Sequence, residues 1–404
     1  MKETGFTASA DGQRSSKPVP KDGSPCLTEL FLSFLRLGLT AFGGPVMVAY
    51  IGELAVKRKK WLDQETFQRG VALCQTIPGA TAMQVAAYVG VQARGLAGAL
   101  CAFTGFGLPA SVLMVILSCL YVSARNLLWT HAIFDGLQLM VVALAANATY
   151  TFGNGTLKDY TDILLAVVSA VLLGLGISPF YVILGTGIAG FFLMKKDKAP
   201  DSGDGRRLTV PFSHIIALLV SLIGAMICLY FIRLDLFRMA LLMIKIDLFA
   251  FGGGFASVPL MLQEIVNVQA WMDSKAFMDG IALGQITPGP IVITSTFVGY
   301  LVYGLPGAVA ATIAIFTPSF LLVVIGSGFI DRLGKSALFE RVVKGILASF
   351  VGLLLYATVK FALAVPWNMI RVLIVCAVLA ALLKKISILY IVLATALLGI
   401  ILFR

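Results

Sequence analysis

Long apolar runs separated by short polar ones dominate the chain, and most of the runs are of membrane length. Windows of about 20 residues, the length an α-helix needs to cross a bilayer core, mark thirteen spans. They lie near 27–50, 70–92, 96–122, 131–153, 161–176, 178–194, 211–232, 236–262, 276–300, 304–330, 338–364, 367–383 and 386–403. The pair between Thr161 and Met194 is the least distinct, because each member is short and Ser178-Pro179 divides them. The pattern predicts an all-α polytopic membrane protein. Its expected organisation is a cytoplasmic N-terminal tail over 1–26, a first transmembrane repeat over 27–194, a polar linker over 195–210, an extra span over 211–235 and a second repeat over 236–404. Composition agrees: 59% of the 404 residues are hydrophobic and 13% are charged, where a soluble domain carries nearer a quarter.

The repetition is carried by residues that chance does not match in apolar sequence. Ala41-Phe-Gly-Gly44 recurs as Ala250-Phe-Gly-Gly253, and Trp61, Phe67, Gly70 and Ala72 recur one residue further along as Trp271, Phe277, Gly280 and Ala282. Gln75, Pro78 and Gly79 answer to Gln285, Pro288 and Gly289. Beyond them Gly90, Gly95, Gly98 and Pro109 match Gly299, Gly304, Gly307 and Pro318, and more loosely Gly136 and Thr149 match Gly345 and Thr358. One unit therefore occurs twice. Six spans before the linker and one unpaired span after it make the second copy enter the membrane from the opposite side, the inverted arrangement common among secondary transporters. Basic residues in the linker, in the Asp331 to Lys344 loop and at Lys384-Lys385 point to a cytoplasmic N-terminus. Lys57-Arg-Lys-Lys60 objects, unless Phe42-Gly-Gly-Pro45 is the tip of a re-entrant hairpin.

Phe42-Gly-Gly-Pro45, Trp61, Ala72-Leu-Cys-Gln-Thr-Ile-Pro-Gly79, Gln84, Gly90 and Phe106-Gly-Leu-Pro109 resemble the signature of the chromate ion transporter family. Phe251-Gly-Gly-Gly254 and Gln285-Ile-Thr-Pro-Gly-Pro290 look like that family's second repeat, and the resemblance runs from about Leu27 to the C-terminus. It implies the long, two-repeat form of a bacterial inner-membrane protein that expels chromate, a sulfate-like dianion. Two positions depart from the pattern: Ala80 follows Pro78-Gly79 where the family has a second proline, and Tyr50 stands where a histidine is familiar.

The chemistry follows from the broken helices. A helix N-terminus offers unpaired N–H groups and about half a positive charge to an anion, and new helices can start after Pro78-Gly79 and after Pro288-Gly289-Pro290. Thr81, Thr287, Thr294, Gln75, Gln84 and Gln285 add neutral donors, and Gly43, Gly44, Gly252 and Gly253 complete the candidate substrate site. These breaks are expected to line a central cavity shared by both halves, although the same glycines and prolines also serve close packing and kinks in purely structural helices. Charges inside spans are costly and so mark function. Arg36 and Lys245 occupy the same repeat position and are expected to grip the dianion together, unless they snorkel to the interface. Glu53, Asp247 and Glu264 are the carboxylates best placed to exchange protons with that site.

Other classes find less support. Gly328 and Gly334-Lys335-Ser336 miss the phosphate-loop spacing by one residue, and no nucleophile-base grouping or metal motif appears. No cofactor or metal is expected. The net charge of +11 reads as positive loops held on the cytoplasmic side rather than as a nucleic-acid surface. Six scattered cysteines form no C-x-x-C pair, and His131 and His214 stand at span starts. The expected partners are the oxyanion and membrane lipid, with a homodimer left open. A passive anion channel would use the same helix ends.

Overall fold

The computed structural model describes residues 25–42, 46–124, 127–193, 210–328 and 337–403. The expected tail up to residue 24, nearly all of the linker, and Gly43 and Gly44 lie outside the described residues. Among the described residues there is no strand. The helices are α1 (Leu27–Thr40), α2 (Val46–Gly52, continued as a π-helical turn over Glu53–Arg58), α3 (Gln64–Thr76), α4 (Thr81–Ala124) and α5 (Leu128–Thr156). There follow α6 (Tyr160–Gly174), α7 (Pro179–Leu193), α8 (Phe212–Ile232), α9 (Leu234–Leu248) and α10 (Ser257–Met261, continued as a π-helical turn over Leu262–Val268). The chain ends with α11 (Ser274–Ile286), α12 (Thr294–Gly326), α13 (Ala337–Ala364), α14 (Met369–Leu383) and α15 (Ile388–Leu402). The repeat extends to local chemistry. Asp63 caps α3 by accepting from the Thr66 amide at 2.7 Å, and Asp273 caps α11 from Ala276 at 2.8 Å.

Five of these helices, α4, α5, α8, α12 and α13, are long and apolar enough to cross a membrane. The expected count of thirteen crossings does not follow from helix length, for two physical reasons. First, the spans expected over 27–50 and 236–262 are folded back on themselves. α1 has 14 residues, about 21 Å at 1.5 Å per residue, well short of a core of about 30 Å. Lys59 then meets Glu29 at 2.7 Å, so by residue 59 the chain has come back to the start of α1. In the second half Lys245 on α9 likewise meets Glu264 in the π-helical turn, at 3.2 Å. An apolar window cannot tell one crossing from a hairpin of equal length. Secondly, α4 and α12 each reverse direction at Arg94-Gly95 and Tyr303-Gly304, between the expected spans 70–92 and 96–122 and between 276–300 and 304–330, so a count of long helices merges runs that the sequence divides. The arms lie so close that a Cβ on Gly90 would stand 2.3 Å from the Gly98 carbonyl oxygen, and one on Gly299 the same distance from that of Gly307.

The two halves are interleaved. α1 packs on α4 and α9 on α12, while α4 and α12 pack on each other, with Phe103 edge-on to Phe320 at 5.1 Å. α5 is covered by α14 and α15 from the second half, and α13 by α6 and α7 from the first. Glycines allow these crossings. A Cβ on Gly136 would meet the Thr395 carbonyl oxygen at 2.2 Å, and one on its repeat equivalent Gly345 would meet that of Thr186 at 2.4 Å. The equivalent residues Thr149 and Thr358 touch one another, hydroxyl to hydroxyl, at 3.1 Å. The unpaired helix α8 buries none of its residues and rests against α9, leaving an apolar cleft of about 1140 Å³ between α8, α9 and α12.

Candidate functional site

The breaks that position the site are dictated by proline and glycine. The residue before a proline is pushed out of the helical region, and Ile77 accordingly leaves α3 in an extended conformation. Gly79 then takes φ +122°, a value that residues with a Cβ rarely adopt, and α4 starts two residues later. This tip is bound on every side. The Pro78 carbonyl accepts from Gln84 Nε2 at 2.6 Å, the Gly79 amide donates to the Ala250 carbonyl at 2.9 Å, and the Ala80 amide donates to Ser319 Oγ at 2.8 Å. The Ser319 amide and hydroxyl both donate to Asp247 Oδ2, at 2.8 and 2.7 Å. A tip of the first half is thus tied to the turn after α9 and to the second arm of α12.

Beside this knot lie the donors that remain. The first amide of α4 with an acceptor in its own turn is that of Gln84, which bonds the Ala80 carbonyl. The amides of Thr81, Ala82 and Met83 have no acceptor among the described residues, as expected for the first turn of a helix. Across from them Gly252 and Gly253 hold φ +93° and +92°, and the amides of Gly252, Gly253 and Gly254 also have no acceptor among the described residues. The two segments are neighbours: a Cβ on Gly253 would stand 3.3 Å from Thr81 Oγ1. Thr81 and residues 251–255 are all partly exposed, so the cradle is open to solvent or substrate.

The remaining expected residues are distributed more widely. Gln75 is exposed and Gln285 is partly buried, each on the last turn of its helix. Thr287 and Thr294 are buried and donate their hydroxyl hydrogens to the carbonyls of Gly284 and Ile291. Pro288 and Gly289 form a second buried tip, where a Cβ on Gly289 would meet that of Ala110 at 2.8 Å. Gly289 thus touches the second arm of α4 as Gly79 touches the second arm of α12. Arg36 and Lys245 are not brought together on one ligand. Arg36 is exposed on the face of α1 that also carries Leu32 and Leu39. Lys245 pairs with Glu264 and sits 3.6 Å from the centre of the Phe180 ring. Glu53 is bound by Arg58 at 2.6 Å in an exposed pair. Of the three expected carboxylates only Asp247 has no cation partner among the described residues, and it is fully buried.

Two polar clusters escaped the reading of the sequence. Ser319, which links Ala80 to Asp247, follows Pro318 where the first half has Ala110 after Pro109, and that mismatch inside a matched motif was the available signal. Asp279 is buried on α11, accepting from the Tyr121 hydroxyl at 2.9 Å and from Gln138 Nε2 at 2.8 Å. An acid inside an expected span is a flag in itself; its equivalent in the first half is Arg69, so the repeat pattern concealed it.

Comparison with known proteins adds an independent line. The model of the family described as chromate transporter matches residues 28–191 and again 237–400. An uncharacterised transporter of Methanocaldococcus jannaschii is 43% identical over 94% of this chain and 96% of its own length. The chromate transport protein of Cupriavidus metallidurans is 30% identical over 83% and 82% respectively. A probable chromate transport protein of Synechococcus elongatus is 31% identical over 82% and 84%. No solved structure matches the chain.

Proposed function

We propose, since this chain belongs to the chromate transporter family, that it is a secondary transporter which exports chromate from the bacterial cytoplasm across the inner membrane, coupled to an ion gradient, and so confers chromate resistance. The observation that carries this reading is the cradle between the α4 N-terminus and the glycine run 252–254. It draws donors from both halves and contains no carboxylate, so a dianion finds only N–H and O–H groups there. Neutral donors and the positive end of a helix bind an anion without fixing it irreversibly, as transport requires. The antiparallel passage of α5 and α13 supports the inverted arrangement, because Thr149 meets Thr358 while a Cβ on Gly153, further along α5, would lie 3.5 Å from Val351, earlier on α13. The folded-back segment 27–58 supports a re-entrant hairpin, which removes the objection that Lys57 to Lys60 raise against a cytoplasmic N-terminus.

In this reading Arg36 and Lys245 supply a positive field at the rim rather than ligands, since one is exposed and the other is engaged by Glu264. Arg36→Gln and Lys245→Gln are therefore expected to change apparent chromate affinity by less than about fivefold, the scale of an exposed ion pair. Competition binding on the purified variants checks this, and a loss of a hundredfold in both would restore a shared cation grip. Asp247 is the carboxylate we assign to coupling; Glu53 and Glu264 are held by Arg58 and Lys245.

Proteoliposomes test the function itself. Chromate flux driven by an imposed cation or proton gradient, with sulfate competing because it shares shape and charge, is the expected result. Flux that follows voltage alone would mean a passive anion channel. Cells expressing the protein are expected to accumulate less chromate, and unchanged accumulation would refute chromate export.

A further inference from the structure

We infer that Asp247 and Gln84 mark a binding site for one monovalent metal cation, with sodium as its natural occupant, built beside only one of the two proline-glycine tips. The inference rests on the proposed reading of the protein as an ion-coupled transporter and adds to it the nature, place and number of the coupling ion.

Two buried oxygens lack partners at this tip. Asp247 and Gln84 are both fully buried, and Asp247 Oδ1 and Gln84 Oε1 have no hydrogen-bond partner. Buried polar atoms are nearly always satisfied, so each orphan needs a physical cause. The two lie around the same residue: a Cβ on Gly79 would meet Ser319 Oγ at 2.2 Å and Gln84 Nε2 at 2.8 Å, and Ser319 holds the other oxygen of Asp247. The Gln84 amide cannot be flipped to hide its oxygen. Nε2 donates to the Pro78 carbonyl, and reversing the amide would set two acceptors against each other. What remains at this spot is therefore acceptor-only, the opposite of the donor-rich cradle beside it.

Charge and backbone select the occupant. Asp247 is the next-to-last residue of α9, whose C-terminal carbonyl end carries about half a negative charge. Hard oxygen donors and helix C-termini at broken segments suit sodium or a proton. A single carboxylate neutralises one positive charge and not two, and no group of three metal-binding acids, histidines or cysteines exists among the described residues. A proton on Asp247 Oδ1 serves Gln84 Oε1 as well only where the two oxygens lie within hydrogen-bond distance, whereas one metal ion also joins them across a wider gap.

The site has no twin. The repeat equivalents of Asp247 and Ser319 are Gly38 and Ala110, and a Cβ on Gly38 would stand 2.4 Å from the Phe106 carbonyl oxygen, so no side chain fits there. One cation per chain follows.

The test uses the purified full-length protein. Its melting temperature is measured as sodium chloride replaces choline chloride at fixed ionic strength, and equilibrium binding of radioactive sodium gives the stoichiometry. A ligand that binds only the folded state raises the midpoint in step with the logarithm of its concentration. The expected result is that rise in the wild type, one sodium per chain, no rise in Asp247→Asn, and sodium affinity about tenfold or more weaker in Gln84→Leu. Should Asp247→Asn fail to fold, Gln84→Leu and the wild-type stoichiometry decide alone. No sodium bound, a rise that survives both substitutions, or stabilisation by protons without sodium overturns the site. Chromate added to the same samples separates the two readings: stabilisation by chromate but not by sodium removes this inference and leaves the transporter, while the reverse removes the transporter reading.

Discussion

Replacing Thr81 with valine is expected to weaken chromate binding about ten- to a hundredfold, because a hydrogen bond to a charged group contributes roughly 1.5–3 kcal/mol. The substitution is chosen for what it leaves alone. Thr81 Oγ1 has no hydrogen-bond partner among the described residues, and valine keeps the branched shape that faces Gly253. Stability should therefore stay near that of the wild type, and the loss should fall on affinity. Thr287→Val is the matched control. Its hydroxyl already donates to the Gly284 carbonyl at 2.9 Å, so it should cost a little stability and leave chromate binding unchanged. Competition binding on both purified variants decides between them. Equal affinities would mean that the dianion does not visit the face between α4 and the glycine run.

Gly79→Ala is expected to produce a large loss of stability. Backbone strain at φ +122° costs about 1–3 kcal/mol by itself. The new methyl must also displace Ser319 Oγ from 2.2 Å, and with it the bonds that Ser319 makes to Ala80 and Asp247. Melting in detergent should fall well below that of Gly155→Ala, where a Cβ meets nothing within 4 Å. Adding Ser319→Ala to Gly79→Ala should recover part of the loss, since it removes the obstructing oxygen but not the strain. If Gly79→Ala melts with the wild type, the tip is not held as described.

How much of this was legible beforehand depended on the kind of signal. The two copies and the breaks at Pro78-Gly79 and Pro288-Gly289 could be read, because proline and glycine act locally and carry their backbone consequences with them. The path of the chain through the membrane could not. Hydropathy reports that a segment is apolar and says nothing of whether it passes through or turns back, so the hairpins closed by Lys59 with Glu29 and Lys245 with Glu264 were read as spans. The matched position of Arg36 and Lys245 was correct as arithmetic and uninformative as chemistry, since the side chains meet different neighbours in the two halves. Repetition itself misled in one respect. It drew attention to what the halves share, whereas Asp247, Ser319 and Asp279, the buried groups without equivalents, carry the difference between them.

The exchange of helices between the halves bears on how the protein is made. α5 is synthesised long before α14 and α15, the helices that cover it, and Gly136 must wait for Gly399 to arrive against it. Until then the groove along α5 faces lipid or the insertion machinery. The first half therefore has no finished state of its own, and its quality can be judged by the cell only after the last helix has been inserted. A lesion at Gly399 would accordingly betray itself as a defect in α5, a helix made long before it.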